Sequence, residues 1–120
     1  MIVMVAMSLL DQSEEAHRRI RHAQQSKEST LILAGLGISS IPEIIWELKN
    51  LEFLYIHQNQ ITEIPEEISR LTNLRHLIAD ENQLAAIPDA IGRLISLQGL
   101  GLRSNKLTAL PDSIGSLGNL

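Results

Sequence analysis

The sequence predicts an α/β solenoid, a stack of short units that each add one strand and one short helical turn, preceded by a helix. Three observations predict it. All four prolines, Pro42, Pro65, Pro88 and Pro111, recur at intervals of 23 residues, and a fixed period of roughly 20 to 50 residues marks units that bury their apolar faces only against one another. Leucine and isoleucine hold register with the prolines from about residue 28 onward. The chain is 44% hydrophobic but has a single Trp, a single Tyr and a single Phe, so its core has to be assembled from many aliphatic side chains.

The 120 residues are one domain's worth of chain. A net charge of -4 gives no footprint for nucleic acid or for an anionic membrane surface, so neither is expected as a partner. With no cysteine there is no disulfide framework, thiolate zinc site or cysteine nucleophile, and a reducing, cytoplasmic compartment is the expectation. Met1 to Leu10 is apolar, yet too short to span a bilayer and without the basic start of a secretory signal. It reads as a leader or an upstream alternative start, with a short membrane or partner anchor as the lesser reading.

Residues 8 to 25 predict an amphipathic helix. Asp11 can cap it, Glu14 stands three residues later, and Ala16, Ile20 and Ala23 fall on one face. Glu14 with Arg18 and Glu15 with Arg19 are favourable i,i+4 pairs. This helix is expected to cover the apolar edge of the first unit, giving a division into a leader and capping helix, 1-27, and four repeats, 28-120.

The repeats run 28-50, 51-73, 74-96 and 97-119. The second reads Leu51, Leu54, Ile56, Asn59, Ile61, Ile64-Pro65, Ile68 and Leu71; the third and fourth repeat it with Asn82 and Asn105 at the polar position. The first keeps register but has Glu28 for the leading leucine and Leu36 for the asparagine. Alternation around the fourth and sixth positions is the period of a strand with one buried face. The asparagines are suited to satisfying backbone groups where the chain leaves the strand, stacked as a ladder. Proline suits the first position of a helical turn, and the acid that follows each one, Glu43, Glu66, Asp89 or Asp112, faces the positive helix end.

This unit resembles the leucine-rich repeat, in the 23-residue form with L-P-x-x-I-x-x-L found in Ras-group leucine-rich repeat proteins and in bacterial and plant relatives. The resemblance covers about residues 28 to 120 and implies a leucine-rich repeat solenoid with a parallel concave β-sheet, short convex helical segments and an N-terminal capping helix. Residues Glu15 to Ser39, with Ala16, Arg19-Ile20, Ala23, Thr30-Leu31, Leu33 and Gly35-Leu36, are similar to the start of the repeat region in bacterial Roco-type proteins, which carry a GTPase module further along. No Walker A pattern occurs in this chain, so no such activity is assigned to it. Leu120 takes the first position of a fifth unit. A fragment of a longer protein is the expectation, and self-association through an uncapped C-terminal repeat the alternative.

The outward strand positions form the candidate site: Thr30, Ile32, Ala34; Phe53, Tyr55, His57; His76, Ile78, Asp80; Gly99, Gly101, Arg103. Aromatic anchors inside a charged rim are what protein interfaces use, so Phe53, Tyr55, His57, His76, Ile78, Asp80, Glu81 and Arg103 are the expected partner-binding residues. Lateral neighbours His57, Asp80 and Arg103 are expected to form a cross-strand ion pair, because Ser104 lies too far from His57 for a triad. Gly99 and Gly101 leave the fourth strand bare, either for close approach of a partner's backbone or as simple tolerance at exposed sites. Trp46 is expected to pack partly on the convex side, and His17 and His22 to be solvated. The resulting expectation is a protein-binding module, not an enzyme, with no cofactor or metal; a small GTPase or signalling protein is the candidate partner. The alternatives are the recognition arm of a larger GTPase or kinase, or a structural, self-associating solenoid.

Overall fold

In the computed structural model the backbone is described for residues 2-120 and the side chains from Glu14 onward. Helix α1 (Ile2–Ser26) leads into four three-residue strands, β1 (Thr30–Ile32), β2 (Phe53–Tyr55), β3 (His76–Ile78) and β4 (Gly99–Gly101). Each strand is followed by a five-residue 3₁₀ helix: Glu43–Glu47, Glu66–Arg70, Asp89–Arg93 and Asp112–Ser116. The strands pair in parallel in the order β1-β2-β3-β4. Every partner lies one period away, so Leu31, Leu54, Leu77 and Leu100 share one row. The 23-residue register read from the prolines is therefore the register of the sheet.

The strands are held this way because their alternate residues feed one aliphatic spine. Leu54, Ile56, Leu77 and Ala79 are fully buried from the sheet side, and Ile45, Ile68 and Ile91 meet them from the 3₁₀ helices. Trp46 is buried, not partly packed as expected; the short convex segments bring it against the core. In the fourth unit Leu100, Leu102, Leu107 and Ile114 are only partly covered.

Each proline lies one position outside its helix, at the N-cap and not at the first helical residue. Its ψ is extended, from 133° at Pro42 to 166° at Pro65, and its carbonyl accepts the first i→i+3 bond, from Ile45, Ile68, Ile91 or Ile114 N at 3.1 Å. The acid then takes the first helical position. Turns this short use the tighter 3₁₀ pattern.

The asparagine ladder forms as expected. Asn59 Nδ2 donates to the carbonyls of Leu33, Ile56 and His57, while its Oδ1 accepts from Leu36 and Ile38 N. Asn82 and Asn105 repeat the arrangement one unit on. The residue before this position turns left-handed in every unit, at Gly35 before Leu36 and at Gln58, Glu81 and Ser104 before the asparagines, with φ from 55° to 70°. Only the first of these is a glycine, so the strained position left almost no compositional signal.

Helix α1 begins at Ile2, well before the expected start, and Asp11 lies inside it. The apolar run 1-10, expected to be a leader or an upstream alternative start, is α-helical back to Ile2. Its side chains, and that of Asp11, lie outside the described residues. Ala16, Ile20 and Ala23 are buried against the first unit as expected. The charge pairing differs in part: Glu15 engages both Arg18 and Arg19, and Arg19 Nη1 also donates to the carbonyl of Ile32 at 2.9 Å. That bond satisfies a backbone group on the outer edge of β1, an edge that would otherwise invite strand addition.

Candidate functional site

The parallel register places the outward side chains in transverse rows. Thr30, Phe53, His76 and Gly99 form one; Ile32, Tyr55, Ile78 and Gly101 form the next. The buried alternation of the strands fixes this face outward. Phe53, Tyr55, His76 and Ile78 are half-buried, and Ile32 is exposed.

Phe53 is the most tightly held of them. The His76 ring meets it edge to face at a centroid distance of 5.1 Å and an angle of 85°. The Arg75 guanidinium lies over it at 5.7 Å, within cation-π range. Arg75 in turn faces Glu52 at 3.5 Å and Gln98 at 3.4 Å. Sequence reasoning missed Arg75 because it took only alternate strand residues as the face; the row Ser29, Glu52, Arg75, Gln98, one residue before each strand, was the available signal. These residues also line a polar groove of about 520 Å³ along the strand starts, with Asn50 and Asn73.

Tyr55 meets His57 edge to face at 6.3 Å. Among the described residues, His57 Nδ1 is the buried side-chain polar atom without a hydrogen-bond partner. A proton there would be a buried donor with nothing to accept it, so the neutral ring is best carried with its hydrogen on Nε2.

The ion pair expected in the row His57, Asp80, Arg103 is not formed. Asp80 Oδ1 instead accepts from the backbone N of Arg103 at 3.0 Å, a charge-assisted bond that needs no ordering of a long side chain. Gly101 makes this possible: a Cβ there would lie 2.6 Å from Asp80 Oδ1 and 3.2 Å from Ile78 Cγ2. A Cβ at Gly99 would likewise meet the His76 ring at 3.2 Å. The space over the fourth strand is thus occupied by side chains of the third, and is not left bare for a partner's backbone. Glu81 and Arg103 stand exposed at the strand exits. His57 and Ser104 leave different strands with the third unit between them, an arrangement without nucleophile-base contact.

A second hollow, of about 590 Å³, lies between α1 and β1, lined by Glu15, Arg19, Leu31 and Ile32 among others. Its ionic groups are committed to one another. The hydrogen bond from Arg19, reinforced by the charges of Arg18 and Arg19 and opposed by partial burial, holds the Glu15 carboxyl below the usual glutamate range. His22 Nε2 pairs with Glu28 Oε1 at 2.9 Å and is exposed as expected; His17 is also exposed.

Parallel strands in one row, a stacked asparagine ladder and short helical turns behind proline define a solenoid of leucine-rich units. The model for the leucine-rich repeat region matches residues 29-120, and the chain belongs to the leucine-rich repeat family. A leucine-rich repeat protein of Leptospira interrogans is 42% identical with a TM-score of 0.68, over 69% of this chain and 21% of that one. A chain in the BIR3–SERK2 complex of Arabidopsis thaliana is 30% identical with a TM-score of 0.69, over 75% of this chain and 50% of that one. An internalin of Listeria monocytogenes is 29% identical with a TM-score of 0.60, over 68% of this chain and 24% of that one. The chain thus spans between a fifth and a half of the length of these proteins. A search of curated proteins finds no match. Folds of this family generally serve as protein-binding modules, and among the described residues no helix is long and apolar enough to cross a membrane.

Proposed function

We propose that this chain is a protein-recognition module that takes up its partner on the concave face around Phe53 and Tyr55. One observation carries the reading. In a protein with an aliphatic core, two of its three aromatic residues stand half-exposed on the sheet, and ring and guanidinium contacts hold them in place. Rigid aromatic side chains lose little freedom on binding, which is why they dominate interface energetics. The polar surround of His57, His76, Asp80, Glu81 and Arg103, to which we add Arg75, steers and orients the partner; Ile78 extends the apolar centre.

The test is a binding measurement with an authentic partner. Replacing Phe53 and Tyr55 with alanine is expected to weaken binding by about 2 kcal/mol or more while circular dichroism stays that of the parent. Unchanged affinity removes these residues from the site.

A second reading is favoured by the coverage of the relatives, of which this chain matches between a fifth and a half. It makes the chain the recognition arm of a larger signalling protein of GTPase or kinase type, with a small GTPase or another signalling protein as partner. The Roco-like start of the repeat region supports that reading. The missing cysteines support a reducing cytoplasm. Reading the gene beyond Leu120 for a phosphate-binding loop separates it from an autonomous binder. A self-associating solenoid would instead show concentration-dependent mass in light scattering.

A further inference from the structure

We propose, building on the concave-face reading, that the segment of the partner seated on this face is an amphipathic α-helix lying across the strands, parallel to the stacking direction.

The apolar character of the face runs across the sheet, not along it. Ile32, Tyr55 and Ile78 are register partners on three successive strands. Along any one strand the surface changes instead, from Phe53 through Tyr55 to His57, or from His76 through Ile78 to Asp80. A ligand that follows the apolar row therefore meets an anchor at every strand, about 4.8 Å apart, or about 9.6 Å from first to third. On an α-helix, residues i, i+3 or i+4, and i+7 lie on one face and span about 10.5 Å at a rise of 1.5 Å per residue. On an extended chain, residues i, i+2 and i+4 share a face but span about 13 Å. The helix misses the row by about 1 Å over three anchors, whereas the extended chain misses it by about 3.5 Å.

The flanks fit the same occupant. The row on either side is two strand residues away, about 6.7 Å, so a helix roughly 10–12 Å across fits between the Phe53–His76 pair on one side and His57 and Asp80 on the other. At Gly101 the row closes, because Ile78 Cγ2 and Asp80 Oδ1 fill the place of a side chain, so two turns of helix are enough to cover it. The strand exits add a charge pattern. Glu81 and then Arg103 stand exposed one unit apart, and neither is in an ion pair among the described residues. They call for a basic and an acidic residue on the helix about one turn apart.

The test uses two display libraries of 16-residue peptides with equal composition. One places apolar residues at helical spacing and the other at alternate positions, and all remaining positions are random. Both are selected on the full chain, and the survivors are measured against the parent and a Tyr55→Ala/Ile78→Ala variant whose circular dichroism matches the parent. The inference expects binders from the helical library that lose at least tenfold in affinity on the variant and on insertion of a central proline. It also expects Glu81→Lys to weaken those binders that carry a lysine or arginine beside the apolar stripe. Binders from the alternating library alone, sensitive to Tyr55→Ala/Ile78→Ala, overturn the helix and leave the concave-face reading standing. Binders indifferent to Tyr55 and Ile78, or none from either library, overturn both. Helical binders indifferent to Glu81→Lys overturn the assigned charge pattern.

Discussion

Asn82 is the most exacting test of the stacked architecture, because one side chain there joins the second unit to the third through four hydrogen bonds. Its Oδ1 accepts from Ile61 N at 3.0 Å in the unit before it. Its Nδ2 donates to Ile56 O at 2.9 Å, Ala79 O at 3.0 Å and Asp80 O at 3.3 Å. Asn82→Ala removes all four at once, but the losses are unequal. Ile56 O keeps Asn59 Nδ2, Ala79 O keeps Asn105 Nδ2, and Asp80 O keeps Gln58 N. Only the Ile61 N–H is left without a partner, in a site whose asparagine is 3% exposed. An orphaned buried donor costs about 1–3 kcal/mol and each bond lost elsewhere about 0.5–1.5 kcal/mol. The substitution should therefore destabilise the chain by about 2.5–7.5 kcal/mol. Urea unfolding followed by circular dichroism measures it, read at constant slope. Asn105→Ala makes the internal control: its site is only partly buried, so water can replace the lost partners and the cost should be smaller. A loss under about 1 kcal/mol at Asn82, or an equal loss at the two positions, would refute the account of the ladder as a shared buried network.

Three further outcomes are expected. Gly92→Ala puts a Cβ 2.6 Å from Ser113 Cβ and 2.8 Å from Ser113 O in the next convex turn, and forcing the units apart should cost about 1–3 kcal/mol; Gly115→Ala, with nothing within 4 Å, should be neutral or slightly stabilising in the same unfolding assay. Gly101→Ala should displace Asp80 from Arg103 N and cost about 1 kcal/mol, and in an Asp80→Ala background only the smaller cost of the 3.2 Å contact with Ile78 Cγ2 should remain; an undiminished cost there would place the clash elsewhere. Glu15 has a lowered folded-state pKa, so its contribution to holding α1 is present above the ordinary glutamate pKa of about 4.3 and fades as pH falls through the lower folded value. Carboxyl NMR should show Arg19→Ala moving the Glu15 midpoint upward.

The repeat period alone dictated the sheet register, the inward set of leucines and isoleucines, the asparagine ladder and the outward set Phe53, Tyr55, His76 and Ile78. Side-chain alternation and stacking at a fixed period leave no freedom in those assignments. Composition also pointed to Phe53 and Tyr55, since exposed rings are conspicuous in an aliphatic protein. What only the folded chain decided involved contacts between neighbouring units or backbone angles. The left-handed turns at Gln58, Glu81 and Ser104 carry no residue signature, because the pull of a buried asparagine outweighs a strain of about 1 kcal/mol. Arg75 joined the site through its reach over Phe53, which strand alternation does not encode. Asp80 chose the backbone of Arg103 over its guanidinium because a glycine left room beside it. Pairings of that kind depend on distances across units, and a period fixes which residues are neighbours without fixing which of their atoms meet.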